Sequence, residues 1–248
     1  MRAIRILAAG PQTLVQDSGR RGYAHLGVPR AGAFDTRAWQ LANRLVGNAT
    51  EAASLEILGG GVEVEAMGHL TIAVTGAQGP VDIDGRSAGT HTPLHVAPGS
   101  RLRLGAARTG IRYYLAVSGG ISTPAVLGSR SHDTLGRLGP PVVRIGDVLP
   151  TGAQRVGHPL VDHVAAVPPA ETFAVLPGPD GTDRLLDRLT ELIWELDPQS
   201  DRIGIRLRGT PLDTRADTLP SKPMVRGAVQ LPPNGLPIIL GPDHPTTG

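Results

Sequence analysis

The sequence predicts a mainly β fold, a sandwich or a barrel, on three observations. The chain of 248 residues contains 33 glycines and 23 prolines. Its apolar residues are mostly Val, Leu, Ile and Ala in short or alternating runs, and only 3% of its residues are aromatic. These runs follow one another closely, separated by turn residues, which is typical of sandwiches and barrels rather than of βαβ units.

The apolar runs give the predicted strands. In the first 150 residues they are 2–7, 62–66, 70–75, 81–83, 94–96, 101–104 and 112–117. Later runs at 203–207, 228–231 and 237–240 predict three more strands. Residues 13–35 instead predict two polar loops punctuated by Gly and Pro, which lead into a helix.

The predicted helix begins after Asp35, whose carboxylate can accept hydrogen bonds from the first turn. Gly47 can end the helix in a left-handed conformation. Asn43 lies on a neighbouring face, where it could point into a cleft beside the core. The predicted apolar stripe consists of Ala38, Leu41, Ala42 and Leu45.

A change of composition at 152–170, rich in Pro and small residues, predicts a boundary between domains 1–158 and 170–248. Residues 182–196 allow either one amphipathic helix or a shorter helix followed by a strand from about Leu192. Because the last predicted strand has no following strand to pair with, we expect the second domain to be truncated at its C-terminus.

Composition excludes several classes of protein. The chain has no cysteine, so disulfides and thiol catalysis are excluded. The net charge is +2, and the basic residues are scattered with few aromatic residues between them, so a nucleic-acid surface is not expected. No signal peptide and no membrane-spanning segment is evident, and we expect a cytoplasmic protein.

Two common site motifs are also missing or weak. No P-loop sequence is present, and the triplet Gly59–Gly61 predicts a turn before a strand rather than a phosphate cradle. His91 and His95 have no third ligand nearby in sequence, so we expect ordinary surface histidines and no metal site.

Three polar segments can carry chemistry. Ser129 and Arg130 lie in a loop that can bind a carboxylate or phosphate, or can be a structured turn. Arg206 lies on a predicted strand. It can either bind a ligand or simply belong to the outward-facing side of that strand. Asp243 and His244 follow a strand, where they form a plausible acid/base pair.

The order of several motifs resembles the biotin-dependent carboxyltransferase family, which includes allophanate hydrolase subunit 2, the C subunit of 5-oxoprolinase and KipA. The resemblance implies two β-barrel-like subdomains, of which the second is cyclophilin-like. The segments that carry it include residues 15–23, 27–35, 41–48, 114–121, 127–131, 200–207 and 240–248.

The resemblance also implies candidate site residues. Asp243 and His244 would transfer protons, Asn43 would bind an amide, and arginines would bind a carboxylate or carboxyphosphate. The substrate-binding candidates are Asn43, Ser129, Arg130, Arg202 and Arg206.

For function, the resemblance implies a subunit of a heteromeric, ATP-dependent complex that hydrolyses a C–N bond of a small urea- or lactam-like substrate. The partner would be a subunit 1 or KipI-like protein, ATP would be bound by the complex, and any biotin would be carried by another protein. Two alternatives stay open: a Kip-type protein that antagonises an inhibitor of a sensor kinase, and the carboxyltransferase component of a biotin-dependent carboxylase.

Overall fold

The computed structural model describes residues 2–153, 157, 163–166, 172–213 and 220–248. The chain forms two compact units. The first consists of Met1–Arg20, Gly32–His132 and Arg137–Pro169; the second consists of Arg21–Ala31, Asp133–Gly136 and Ala170–Gly248. The predicted domain limits at 158 and 170 lie outside the described residues.

The first unit contains eleven strands and one helix within its described residues. The strands are β1 (Ala3–Ala9), β2 (Gln12–Gln16), β3 (Ser54–Leu58), β4 (Val62–Ala66), β5 (Leu70–Gln78), β6 (Val81–Ile83), β7 (Arg86–Ser87), β8 (Leu94–Val96), β9 (Arg101–Leu104), β10 (Thr109–Val117) and β11 (Val148–Pro150), and the helix is α1 (Thr36–Leu45). They form a six-stranded sheet of order β11-β1-β4-β9-β6-β7 and a five-stranded sheet of order β2-β3-β10-β5-β8. All pairings are antiparallel, and neither sheet closes into a barrel among the described residues.

The mainly β prediction is confirmed, and each of the seven strands predicted in the first 150 residues overlaps an observed one. The prediction that residues 13–35 are loops was wrong at its start, because Thr13–Gln16 belong to β2. This strand pairs with β3, which was not predicted either. Tertiary pairing supplies the partner that the local sequence does not reveal.

The two sheets bury a common apolar core. It combines Ile4 and Val64 of the six-stranded sheet with Ile57, Val74 and Leu115 of the five-stranded sheet. All five side chains are at most 3% exposed. The first unit is therefore a sandwich of two sheets packed face to face.

Helix α1 packs on the other face of the five-stranded sheet, against β3, β5 and β10. Its start agrees with the prediction, because Asp35 Oδ1 accepts a hydrogen bond from the Ala38 amide at 2.9 Å. The buried face of the helix is rotated relative to the predicted stripe: Trp39 is 2% exposed, whereas Leu41 is only half-buried. The buried helix residues are Trp39, Ala42, Asn43 and Leu45.

Small side chains on the sheet explain this rotation. Ala73 of β5 and Ala116 of β10 are fully buried beneath the helix, beside Tyr114. They leave room for the indole of Trp39, the largest side chain of the helix. Sequence periodicity cannot identify a face that is selected by the shape of its partner.

The second unit contains α2 (Asp183–Glu191) and the strands β12 (Glu195–Leu196), β13 (Gly204–Arg208), β14 (Val229–Gln230) and β15 (Ile238–Leu240). The strands form an antiparallel sheet of order β12-β13-β15-β14. Of the two alternatives for residues 182–196, the helix followed by a strand is observed. The three strands predicted near the C-terminus are also confirmed, with shifts of one residue at their ends.

Among the described residues, no helix combines the length and the apolar character that crossing a membrane requires.

Candidate functional site

A buried carboxylate, Asp17, organises the polar loop at 126–131 in the first unit. Its Oδ1 accepts hydrogen bonds from the hydroxyls of Ser129 and Ser131, both at 2.6 Å. Its Oδ2 accepts from the backbone amide of Arg130 at 2.6 Å. Asp17 also bonds its own loop, through the amide of Gly19 at 2.9 Å. The carboxylate thus determines where Ser129 and Arg130 lie.

Arg20 holds the same loop from a second point. Its side chain is 2% exposed, its Nε donates to the Val126 carbonyl at 3.2 Å, and its Nη2 donates to the Ser131 carbonyl. Neither Asp17 nor Arg20 was predicted as a site residue. The available signal was a Gln-Asp-x-Gly-Arg sequence that begins on the last residue of β2, where a charge pair can fold back on a neighbouring loop.

The predicted loop residues Ser129 and Arg130 have different surroundings. Ser129 is 1% exposed, and its hydroxyl is used by Asp17. Arg130 is half-buried; its Nε donates to the Thr123 carbonyl at 2.7 Å, and its terminal nitrogens bond no described residue. Arg130 therefore keeps donors that can bind a carboxylate or phosphate.

Asn43 lies in a separate buried network of the first unit. Its Nδ2 donates to the Ala52 carbonyl at 2.8 Å, and its Oδ1 accepts from Asn48 Nδ2 at 3.0 Å. Asn48 continues the network, since its Oδ1 accepts from the Gly119 amide at 2.7 Å. Because Asn43 is 0% exposed, these contacts connect α1 to the loops around it rather than to solvent.

In the second unit, Arg202 and Asp243 form a buried ion pair. Two parallel hydrogen bonds of 2.9 Å join Nε and Nη2 of Arg202 to the two carboxylate oxygens. The hydroxyl and amide of Thr134 also donate to Asp243 Oδ2, at 2.8 and 2.9 Å. With four donors around it, this carboxylate is well suited to hold the chain in place.

His244 follows Asp243 and is 7% exposed. Its Nδ1 lies 2.7 Å from the Pro245 carbonyl, which can only accept, so Nδ1 carries the proton in the neutral ring. Nε2 bonds no described residue and keeps its lone pair. The geometry thus assigns the tautomer in which Nε2 can accept a proton.

Arg206 lies on β13 with an exposed side chain. The predicted site residues therefore fall into distinct groups: Ser129 with Arg130 in the first unit, Arg202 with Asp243 and the adjacent His244 in the second. Asn43 and Arg206 belong to neither group.

The prediction of surface histidines is correct for the exposed His95 and wrong for His91, which is 5% exposed. His91 lies against Thr90, with 3.0 Å between Nδ1 and the hydroxyl oxygen. Burial, and then the neighbouring His163, lower the pKa of His91 below its ordinary value.

The Gly59–Gly61 turn has the predicted structural role. The amides of Gly59 and Gly61 donate to the carbonyls of Ile111 and Leu104, both at 2.8 Å. A Cβ on Gly60 would lie 2.0 Å from the Gly105 carbonyl oxygen, so only glycine permits this close packing. The turn therefore does not fit the phosphates of a nucleotide.

Known proteins resemble the chain over most of its length. A family model described as carboxyltransferase domain, subdomain A and B, matches residues 26–248. The chain is 38% identical to the C subunit of 5-oxoprolinase from Escherichia coli over 99% of this chain and 81% of that protein. It is 33% identical to urea amidolyase of Saccharomyces cerevisiae over 84% of this chain and 12% of that protein.

A solved structure extends this likeness to the fold. The crystal structure of the Kluyveromyces lactis urea carboxylase is 28% identical and superposes with a TM-score of 0.87, covering 99% of this chain and 25% of that one. The chain thus spans most of the bacterial protein but only a small part of the yeast enzymes. It belongs to the carboxyltransferase domain family of subdomains A and B, as a homologue of the 5-oxoprolinase C subunit that is related to urea amidolyase.

Proposed function

We propose that the chain is a component of a heteromeric, ATP-dependent complex that hydrolyses the C–N bond of a small lactam of the 5-oxoproline type. The observation that carries this proposal is the 38% identity to the C subunit of a 5-oxoprolinase over nearly the whole chain. The partner in this proposal is a subunit 1 or KipI-like protein. An allophanate- or urea-like substrate has the same kind of C–N bond and is tested as an alternative.

In this proposal, His244 transfers protons. Its Nε2 accepts a proton from the water that attacks the lactam carbonyl, and the imidazolium returns it to the nitrogen as the C–N bond breaks. The Pro245 carbonyl supports this role because it holds the proton on Nδ1 and leaves Nε2 as the acceptor.

Asp243 has a positioning role in the proposal. Arg202 and Thr134 donate hydrogen bonds to its carboxylate and fix its orientation, so Asp243 holds the loop that bears His244. Direct proton transfer by Asp243 stays a prediction from the sequence.

The substrate carboxylate has Arg130 as a candidate ligand, because the terminal nitrogens of Arg130 are not engaged by described residues. Asp17 supports this arginine by accepting a hydrogen bond from its backbone amide. Substrate contacts by Asn43, Ser129, Arg202 and Arg206 stay predictions; the first three have the structural contacts described above.

ATP does not fit the Gly59–Gly61 turn, whose amides are used within the sheet. In this proposal ATP is bound by the complex, and no step of the chemistry assigned to this chain's residues uses it. Biotin, in the carboxyl-transfer alternative, would likewise be carried by another protein.

The test uses the chain co-purified with its partner proteins, in an assay of ATP-dependent loss of 5-oxoproline. We expect His244→Gln to lower kcat by about 100-fold or more, the effect of removing a general acid/base, with little change in KM. His95→Gln, an exposed histidine, is the matched control and should keep the wild-type rate. Equal rates for His244→Gln and wild type would contradict the assignment.

Carboxyl transfer is the second candidate, supported by the description of the matching family and by the 33% identity to urea amidolyase. A complex that carboxylates urea with a biotin-bearing partner, and leaves 5-oxoproline unchanged, would establish it in place of lactam hydrolysis. The Kip-type regulatory role stays a prediction; inhibition of a sensor kinase relieved by this chain would be its signature.

For the fold, we propose that the second unit is part of a cyclophilin-like, barrel-like subdomain. Its antiparallel four-stranded sheet supports this proposal. For the first unit, the barrel-like description implied by the resemblance stays a prediction, because its two sheets are open among the described residues.

A further inference from the structure

The hydroxyl group of Thr123 is buried without a hydrogen-bond partner. Its Oγ1 is shielded from solvent, and nothing in the part of the chain that the structure describes donates to it or accepts from it. Thr123 as a whole is only half-buried, so the hydroxyl is turned away from solvent while other atoms of the residue face it. A hydroxyl in this position has lost its bonds to water without gaining others, which is unfavourable. A group on a ligand is a partner that such a hydroxyl can acquire.

The guanidinium group of Arg130 lies next to Thr123. Its Nε donates to the Thr123 carbonyl oxygen at 2.7 Å. Because that carbonyl and the hydroxyl belong to one small residue, Oγ1 is close to the guanidinium as well. The bond through Nε leaves the terminal nitrogens of Arg130, which bond no described residue, as a pair of parallel donors. Such a pair matches the two oxygens of a carboxylate.

Hydrogen bonds of the backbone hold both residues in place. The Arg130 amide donates to Asp17 Oδ2 at 2.6 Å. The amide of Ser122, directly before Thr123, donates to the Pro150 carbonyl at 2.8 Å. The threonine and the guanidinium therefore keep their relative positions without a ligand, and little conformational entropy is lost when one binds.

The Thr123 hydroxyl can turn toward a ligand at little cost. A rotation of about 120° about the Cα–Cβ bond moves Oγ1 to another staggered position, and in one sense of rotation the methyl group takes the buried position that Oγ1 leaves. Since Oγ1 has no partner among the described residues, the rotation breaks no hydrogen bond within them. A carboxylate can then accept from the hydroxyl and from the terminal nitrogens of Arg130 together.

We propose that Thr123 is a further substrate-binding residue, which joins Arg130 in a subsite for the carboxylate of the substrate. The inference rests on the proposed function, because it assigns a second donor to the acidic group that 5-oxoproline carries and a plain lactam lacks. It also gives the Thr123 hydroxyl an acceptor.

The test measures both binding and stability of the purified chain, without ATP. Calorimetry or NMR titration follows the binding of 5-oxoproline, of the same lactam without its carboxylate (2-pyrrolidone) and of inorganic phosphate. We expect 5-oxoproline to bind most tightly, Thr123→Val to weaken it by roughly 10-fold, and Arg130→Gln by roughly 10- to 100-fold, the effects of losing hydrogen bonds to a charged group. Thr123→Ser, which keeps the hydroxyl, should bind nearly as the wild type does.

Thermal unfolding distinguishes a binding role of Thr123 from a structural one. Valine has the same shape as threonine and removes a buried hydroxyl that lacks a partner, so Thr123→Val should unfold at the wild-type temperature or above it. A hydroxyl with a structural role would give the opposite result, a lower unfolding temperature. Ser122→Ala is the matched control, because it removes an exposed hydroxyl from the adjacent residue, and it should change neither binding nor stability.

The proposal is overturned if the wild type does not bind 5-oxoproline, or if 2-pyrrolidone or phosphate binds at least as tightly. It is also overturned if Thr123→Val binds 5-oxoproline normally or unfolds at a lower temperature, or if the control loses as much affinity. A complex that binds 5-oxoproline through these residues without hydrolysing it would refute the proposed function alone. A complex that hydrolyses it while Thr123→Val binds normally would refute this inference alone.

Discussion

Asp17 is the residue on which the hydrogen bonds of the 126–131 loop converge. Its two oxygens accept from two hydroxyls and from the amides of Gly19 and Arg130, so a single carboxylate connects the end of β2 to a distant loop. Buried polar networks of this kind are costly to leave partly satisfied. Asp17 therefore affects both stability and the position of Arg130.

The Asp17→Asn variant should lower the free energy of unfolding by about 1–3 kcal/mol, because an amide nitrogen would replace one acceptor and leave buried donors unpaired. Urea denaturation of the purified chain measures this change. Glu51→Gln, at an exposed position, removes the same charge and should have almost no effect. Equal stability of Asp17→Asn and wild type would show that the loop does not depend on this carboxylate.

His91 is a buried histidine whose pKa should make the stability of the protein depend on pH. Its folded-state pKa is lowered by burial and by His163, from an ordinary value of 6.5. Below pH 6.5, His91 binds a proton in the unfolded chain but stays neutral in the folded chain until the pH reaches its lower folded-state pKa. The contribution of neutral His91 to the free energy of unfolding is therefore complete above pH 6.5 and is lost as the pH falls toward the folded-state pKa.

Thermal unfolding at about pH 7.5 and about pH 5.5, on either side of the ordinary histidine pKa, should therefore show a loss of stability at the lower pH that is smaller in His91→Asn. Asparagine is a suitable replacement because His91 has a φ of 59°, which asparagine tolerates. His95→Asn, at an exposed site, should keep the wild-type pH dependence. If His91→Asn and wild type lose stability equally between these pH values, burial of His91 does not control the transition.

At the scale of elements, hydrogen bonds connect the N-terminal end of α1 to the five-stranded sheet. The Tyr114 hydroxyl accepts from the Asp35 amide at 2.6 Å and donates to Glu56 Oε2 at 2.7 Å. Glu56 also accepts from the Phe34 amide at 2.7 Å. Burial, and then Glu56, raise the pKa of Tyr114 well above its ordinary value, so the phenol stays protonated and keeps this donor.

Tyr114→Phe should lower the free energy of unfolding by about 1–3 kcal/mol, because it removes a hydrogen bond from a buried carboxylate and the partner of the Asp35 amide. Its neighbour Tyr113 is the control: it is equally buried, but its hydroxyl makes only a 3.4 Å contact with the Gly105 carbonyl. Tyr113→Phe should therefore lower the free energy of unfolding by less than Tyr114→Phe does. Chemical denaturation of both variants measures the difference. Equal losses of unfolding free energy would argue against stabilisation of α1 by the Tyr114 hydroxyl.

At the scale of the whole molecule, the two units differ in the size of their cores. The first unit has a continuous apolar core between its sheets. Of the described residues in the second unit, prolines aside, only Ala31, Leu212 and Leu240 are buried apolar side chains. Large exposed apolar residues are frequent there, including Ile193 at 89%. Local stability follows buried apolar contact, so the second unit should open more readily.

Hydrogen exchange of the isolated chain tests this difference. We expect the amides of β5 and β10, in the centre of the five-stranded sheet, to exchange at least about 10-fold more slowly than those of β13 and β15, a ratio that corresponds to about 1.4 kcal/mol in opening free energy. The internal control is β4 against β9, two strands of the same unit that should exchange alike. Similar protection of β10 and β15 would contradict the difference in core size.

The sequence by itself determined the mainly β class, the N-cap of α1 and most strands, because apolar alternation, turn residues and capping act over a few neighbouring residues. It also led to the candidate residues that lie together in the structure, Ser129 with Arg130 and Arg202 with Asp243. Arg202, whose partner Asp243 is distant in sequence, became a candidate only through the family resemblance.

Only the tertiary structure decided which residues hold those candidates and how. The sequence of β2 carries no clear strand signal, and this segment becomes a strand by pairing with β3. Asp17 accepts several hydrogen bonds because residues 129–131 fold onto it. His91 is buried by residues that pack around it. The backbone amide of Ala31 donates to the carbonyl of Pro242, which precedes Asp243 in the sequence. These contacts join residues distant in sequence, and their energies depend on burial and distance, which no local pattern contains.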